Sequence, residues 1–318
     1  MSTGVRVVAL SGGIGGAKLA LGLYRILSPD SLMVVCNTGD DFEHLGLSVS
    51  PDLDTVMYTL AGIANPETGW GRAGETWTFM AALQQLGGET WFRLGDADLA
   101  VHVERTRRLA EGESLSAIAD DFSRRLGLRA QIMPMCDEPV RTMVHAEDGV
   151  LPFQRYFVER RCEPRVSGFE FQGAGAACPT PAFLEALESD SLEAVVICPS
   201  NPFISIDPIL AVPGMRAAIA ACRAPVVAVS PIIGGRAIKG PTAKMMAELG
   251  LPASARAVAQ HYRGLLDGFV LDEVDAGAAE AIDLPCLATR TLMASEDDKR
   301  ALAAALLAFA RRLCARAR

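Results

Sequence analysis

Four glycines in five residues, Gly12, Gly13, Gly15 and Gly16, follow an apolar run and precede Lys18. Glycines let consecutive N–H groups turn toward one anion, and a helix starting there adds the positive end of its dipole. That is the chemistry of a phosphate cradle, and a bare tight turn needs fewer glycines. The Walker pattern does not fit, because Lys18 follows Ala17 and precedes Leu19. The dinucleotide pattern G-x-G-x-x-G runs from Gly13 and Gly15 and fails at Lys18.

A second group is acidic. Asp40, Asp41, Glu43, Asp52 and Asp54 fall within 15 residues. Carboxylates in the first turn of a helix are favoured by its dipole, which suits Asp52, explains Asp54 less well and leaves Asp40-Asp41 unexplained. Several carboxylates opposite a phosphate cradle would repel the ligand unless a hard cation lay between them. Mg²⁺ is the natural bridge, held by one or two carboxylates and the ligand's phosphates. His102 stands four residues after Asp98, on the same face of a predicted helix. Trp70 and Trp77 bracket a loop that could cover a flat aromatic ligand. No Ser-His-Asp arrangement is legible and no Cys has an evident His partner. Phosphoryl transfer needs no covalent nucleophile, only positioning and charge neutralisation, and the inventory fits that class best.

The elements that must position these residues alternate. Strand-like runs at Val5–Leu10, Leu32–Cys36, Trp91–Leu94, Gln131–Met135, Ala194–Cys198 and Val226–Val229 are interleaved with helical stretches at Ala17–Leu27, Pro51–Ala61, Thr76–Leu86, Leu99–Ala110 and Ser114–Leu126. Ser50 reads as an N-cap with Pro51 at the first helical position. The alternation predicts an α/β fold: a Rossmann-like, doubly wound parallel sheet with helices on both faces. Val140–Gly175, with five aromatic residues and few helix formers, reads as a small β-rich insertion, the inserted lobe being placed at about 140–190 within a single domain of 1–318. Ser295–Arg318 reads as an amphipathic packing helix. In such a sheet ligands bind beyond the carboxyl ends of the strands. The glycine loop, Asn37-Thr38-Gly39-Asp40-Asp41, Gly95-Asp96-Ala97-Asp98, Cys136-Asp137, Pro199-Ser200-Asn201 and Ser230-Pro231 should therefore converge on one crevice. The turn at Ser200 and Asn201, held between Pro199 and Pro202, is expected to read a base; its plainer reading is a cap on the next helix.

Composition narrows the class. Of 318 residues, 50% are hydrophobic and 21% charged, enough to build a large core. A net charge of −8 excludes a whole-chain footprint for nucleic acid. Met1–Arg6 runs straight into a strand with no leader-like pattern, and no apolar run reaches the roughly 18 residues a membrane helix needs. A cytoplasmic enzyme is expected. Eight cysteines without metal or redox spacing read as buried free thiols of a reducing cytoplasm.

In order and spacing, these segments resemble the 2-phospho-L-lactate transferases of deazaflavin coenzyme F420 biosynthesis. The resemblance rests on Ser11–Leu19, Asn37–Asp41, Ser50–Val56, Trp70-Gly71 with Glu75-Thr76-Trp77, Leu94–His102, Pro134–Thr142, Phe153-Gln154, Pro199–Ile209, Ser230–Gly235 and Lys239–Lys244, and covers about residues 5–295. It implies transfer of a phospho-three-carbon acid (2-phospho-L-lactate, phosphoenolpyruvate or 3-phosphoglycerate) from a guanosine diphosphate-linked donor to the ribityl hydroxyl of 7,8-didemethyl-8-hydroxy-5-deazariboflavin (Fo). GMP leaves and Mg²⁺ is required. It further implies that Asp40 and Asp54 are the metal-binding and catalytic aspartates, and that Asp54, Arg93, Asp98, His102 and Asp137 face Fo. Gly12, Gly13, Gly15, Gly16, Lys18, Asn37, Ser200 and Asn201 would form the nucleotide site. Cys136 departs from the serine expected in the Pro-Met-Ser-Asp pattern. The family and the apolar C-terminal region together suggest a homodimer. The competing reading, a non-catalytic nucleotide-sugar-binding regulatory protein, shares mainly the glycine loop. An NAD-dependent oxidoreductase fails at Lys18 and has Asn37 where a ribose-binding acid should stand.

Overall fold

The computed structural model describes residues 4–317; Met1–Thr3, part of the expected N-terminal lead into the first strand, and Arg318, the end of the expected packing helix, lie outside the described residues. Short β-branched runs form a seven-stranded parallel sheet: β1 (Val7–Ser11), β2 (Leu32–Cys36), β3 (Gln131–Pro134), β4 (Ala194–Ile197), β5 (Val226–Val229), β6 (Gly268–Leu271) and β7 (Cys286–Ala288). Their spatial order is β7-β6-β5-β4-β1-β2-β3. In β1, β2, β4, β5 and β6 every residue is buried, as expected for strands covered on both faces.

Alternate side chains enter two apolar layers. Val8, Leu10, Met33, Val35, Val195 and Ile197 point into one. Val7, Ala9, Leu32, Val34 and Val196 point into the other, where α1 (Gly13–Ile26) packs with the C-terminal helix Glu296–Ala317. The doubly wound arrangement and the packing role of the C-terminal helix are both as expected.

The strand order reverses at β1, which pairs with β2 on one side and β4 on the other. The loops after β1 and β4 therefore leave the sheet side by side, opening the crevice where such folds bind ligands. α2 (Pro51–Ala61) starts with Pro51 at its first position. It is followed by α3 (Thr78–Gln85), α4 (Asp96–Ala110) and α5 (Leu115–Arg125). The inserted lobe is a three-stranded antiparallel sheet of Arg141–Ala146, Gly149–Pro152 and Val166–Gln172. It is tied to the crevice by the Thr142 amide, which donates to the Gly39 carbonyl at 2.7 Å. The helix Pro181–Glu188 that follows returns to the main core through the fully buried Phe183.

Two expectations change. Trp91–Leu94 is not a strand. Trp91 and Phe92 instead pack edge-on against Phe42 and His44, so aromatic contacts rather than ladder bonds hold the segment. The sheet also gains β6 and β7, whose short runs were not legible as strands. No disulfide occurs among the described residues: Cys36, Cys136 and Cys198 are buried, whereas Cys178 is exposed. No single described helix is long and apolar enough to cross a membrane.

Candidate active site

The glycine turn and the Pro199 turn are locked together at the sheet edge. Ser200 Oγ donates to the Gly12 carbonyl at 2.8 Å and accepts the Gly12 amide at 3.2 Å. A Cβ on Gly15 would sit 2.4 Å from the Pro199 carbonyl oxygen, so only glycine allows this approach. Gly13 has φ +64°, the left-handed conformation that opens α1 toward the crevice. The first turn of a helix leaves amides without intrahelical partners, and here that turn borders a cavity of about 650 Å³. Lys18 lines the same wall and donates to the Met293 carbonyl at 3.1 Å. Burial lowers its pKa, helped by the neighbouring Lys299 and Lys239.

Asn37 is the hub beneath the acidic residues. Its Oδ1 accepts the Gly39 amide at 2.8 Å, and its Nδ2 donates to Asp52 Oδ2 at 3.0 Å and to the Ile204 carbonyl at 3.1 Å. Asp52 Oδ1 accepts the Gly13 amide at 2.6 Å. Asp41 accepts the Ser50 hydroxyl at 2.7 Å, so Ser50 braces the acidic turn instead of capping α2 with its side chain. Burial pushes Asp52 up to about 6 and Asp41 up to about 7. Asp40 is raised well above the carboxylate range, first by burial and then by the Asp52 charge. The Asp40 backbone carbonyl is held by Gln154 Nε2 at 3.1 Å, while its buried Oδ1 has no hydrogen-bond partner.

A second polar group lines the cavity next to the first. Asp54, in the first turn of α2, is gripped by both terminal nitrogens of Arg105 in α4; the Nη1–Oδ2 contact is 3.1 Å. His102 Nδ1 lies 3.8 Å from Asp54 Oδ2, and its Nε2 lies 3.6 Å from Asp98 Oδ2. Tyr58 donates to Asp98 Oδ1 at 2.5 Å. Burial raises Asp54, opposed by Arg105 and His102. Burial would also raise Asp98, but His102 and Tyr58 outweigh it and hold Asp98 below its ordinary value. One ligand atom each from Asp54, Asp98 and His102 can lie within 4.8 Å of one another, a spacing compatible with a shared cation. The start of α4 is fixed by reciprocal capping. Glu75 accepts the Ala97 and Asp98 amides at 2.8 Å each, and Asp96 accepts the Thr78 and Phe79 amides at 3.0 and 3.1 Å.

The description "2-phospho-L-lactate transferase CofD" belongs to the family whose sequence model matches residues 7–292. The chain belongs to the 2-phospho-L-lactate transferase (CofD) family. A phosphoenolpyruvate transferase from Streptomyces griseus is 43% identical over 315 residues, spanning 96% of this chain and 98% of its own. A 2-phospho-L-lactate transferase from Methanosarcina mazei is 39% identical over 300 residues, spanning 93% and 98%. The chain is thus a transferase of the CofD family, which removes the regulatory-protein reading. A solved structure from Bacillus halodurans, a member of the upf0052 family, shares the fold with a TM-score of 0.62 at 15% identity, over 95% of this chain and 98% of that one.

Within this CofD-family fold, Gly12, Gly13, Gly15, Lys18, Asp40, Asp54, Arg93, Asp98, His102, Ser200 and Asn201 all line the one cavity. Gly16 and Asn37 are buried behind it and shape its wall. Asp137 does not reach it: this exposed carboxylate accepts the Ser116 amide at 2.7 Å and its hydroxyl at 2.8 Å, at the start of α5. Asn201 acts in part as the cap of the plainer reading, its Oδ1 accepting the Phe203 amide at 3.0 Å. Trp70 lines the cavity mouth, whereas Trp77 lies off it under Arg93, whose guanidinium is 4.0 Å from the ring centre. Arg105, Tyr58 and Glu75 were not anticipated as site residues. Spacing could have found two of them: Asp98, His102 and Arg105 share one helical face at i, i+4 and i+7, and Tyr58 lies four residues after Asp54.

Proposed function

We propose that this enzyme transfers a phospho-three-carbon acid from its guanosine diphosphate-linked donor to the ribityl hydroxyl of Fo, releasing GMP, as a step of coenzyme F420 biosynthesis. The observation that carries this reading is the lining of this cavity. Its lining holds a helix N-terminus with Lys18, the buried carboxylates Asp40, Asp52 and Asp54, and the aromatic rings of Trp70, Trp91 and Phe92. Relatives named phosphoenolpyruvate transferases are 41–44% identical and those named 2-phospho-L-lactate transferases 38–40%, which puts the phosphoenolpyruvate-derived donor first.

The first turn of α1 would receive the donor's diphosphate through the amides that Ser200 and Asp52 leave free, with Lys18 adding positive charge. Asp54 would take the hydrogen bond of the attacking hydroxyl and align it with the phosphorus. The new O–P bond then forms as the P–O bond to GMP breaks, and the hydroxyl proton is lost to the carboxylate side. The residues fit a divalent cation. Asp40 has a buried, unpartnered oxygen, and burial raises the carboxylates beside it, Asp41 and Asp52. Asp40 and Asp54 would hold Mg²⁺, which when bound masks phosphoryl charge and stabilises the leaving group. Trp70 at the mouth and the inserted lobe, which contributes Phe153 and Phe157 to the wall, would limit water access.

The test is mass spectrometry of products from Fo with each guanylated three-carbon acid, with and without exhaustive chelation. The expected result is Mg²⁺-dependent release of GMP together with Fo bearing one phospho-acid. Full activity after chelation would remove the metal, and no Fo adduct from any donor would remove the reaction. GMP release without Fo as fast as with it would show a site open to water.

A further inference from the structure

We infer that Arg105 is a positioning residue: it fixes the carboxylate plane of Asp54, so that one carboxylate at the crevice wall is aimed while Asp40 is left free of any protein counter-ion. The inference rests on the proposed transfer to a hydroxyl and assigns to Arg105 a role that the motifs do not carry.

The geometry sets the two aspartates apart. Asp54 receives both terminal nitrogens of Arg105, a two-point grip that fixes direction as well as charge. Asp40 has an unpartnered Oδ1 and a neighbouring Asp52. Arg105 is 1% exposed and is itself braced: its Nη1 reaches the Ser48 carbonyl at 3.4 Å and His102 Nδ1 at 3.5 Å. A side chain held on three sides cannot follow Asp54 if that carboxylate turns, so it acts as a stop. Burying an ion pair of this kind is a poor way to gain stability, since well-packed apolar residues of the same volume serve as well or better. Beneath a crevice wall, what the pair supplies is a carboxylate that cannot rotate. Lysine would keep the charge and lose the fork, so Arg105→Lys separates orientation from neutralisation.

The experiment compares Arg105→Lys, Asp54→Asn and the double variant, with Asp54→Asn/Arg105→Met as an uncharged replacement of the pair. For Arg105→Lys, kcat for Fo transfer should fall about 100-fold, the size of a lost oriented contact. KM for either substrate should change less than about threefold, and calorimetric GDP affinity should stay at the wild-type value. In the Asp54→Asn background the lysine substitution should cost less than about threefold more, because its effect runs through Asp54. The uncharged pair should fold with a melting temperature at or above that of the wild type and be as slow as Asp54→Asn. A crystal structure of Arg105→Lys should show the Asp54 carboxylate rotated from its wild-type plane. This last readout needs no substrate, so it tests the inference even if the Fo reaction fails. A carboxylate superposing on the wild type, or a full 100-fold loss repeated in the Asp54→Asn background, overturns it. If Arg105→Lys does not fold, the uncharged pair decides: activity well above Asp54→Asn overturns the inference, and activity equal to it supports it.

Discussion

The Asp52 carboxylate accepts the Gly13 amide at 2.6 Å, so the acid that opens α2 also fixes the turn that opens α1. Its other oxygen accepts Asn37 Nδ2. The phosphate-cradle candidate and the acidic cluster, 39 residues apart, are one hydrogen-bonded unit.

Asp52→Asn should therefore destabilise the protein although it removes a buried charge. Whichever way the new amide is turned, its NH₂ meets a donor, either the Gly13 amide or Asn37 Nδ2, and Asn37 cannot flip because its Oδ1 holds the Gly39 amide. An unsatisfied buried donor costs about 1–3 kcal/mol. Urea unfolding should show a lower midpoint at unchanged slope; an unaltered midpoint would show that the contact adds nothing.

Two glycine substitutions should behave differently. Gly15→Ala places a Cβ against the Pro199 carbonyl and must push the two turns apart, so GDP affinity should fall at least about tenfold, or ~1.4 kcal/mol. Gly13→Ala meets no neighbour within 4 Å but keeps a left-handed φ, which costs roughly 1–2 kcal/mol of stability. Calorimetry and thermal melts separate the two effects, and equal GDP affinity for Gly15→Ala and wild type would count against the cradle.

Stability should depend on pH in a direction set by the buried carboxyls. Asp52 and Asp41, raised by burial to about 6 and about 7 from an ordinary 3.8, bind protons more tightly folded than unfolded. Their contribution to stability is complete below the unfolded value and is lost as pH rises through about 6 to 7. Metal-free protein should lose melting temperature across that window. Added Mg²⁺, which favours the ionised forms, should restore more of it near pH 8 than near pH 5. A Mg²⁺ shift of equal size at both pH values would contradict a metal seated beside these groups.

Asn201→Ala removes the cap on the Phe203 amide and should cost about 1 kcal/mol of stability. If the turn also reads guanine, GDP binding should weaken while ADP binding stays weak and unchanged. A fall in melting temperature alone would leave Asn201 as a cap and place guanine recognition elsewhere on the cavity wall.

Much of this site can be read in the order of the residues. The runs Leu32–Cys36 and Val226–Val229 and the helix Pro51–Ala61 carry their own local signals, namely β-branched side chains, glycine punctuation and a first-position proline. They appear with those same bounds. Parallel topology then brings the loops after β1, β2 and β4 to one edge, because every strand points the same way. Other relations exist only once the chain has packed. Arg105 meets Asp54 across 51 residues because α4 lies beside the start of α2, and no spacing carries that contact. Asp137 follows a sheet strand like the other acids, yet it turns outward to the start of α5, where two Ser116 donors satisfy it. Trp91 and Phe92 have strand-forming side chains but no strand to pair with, and aromatic neighbours claim them instead. Short-range sterics and periodicity choose elements. Which polar groups share a buried volume is decided by the need to satisfy charge and hydrogen bonds away from water, and that is settled between elements, not along them.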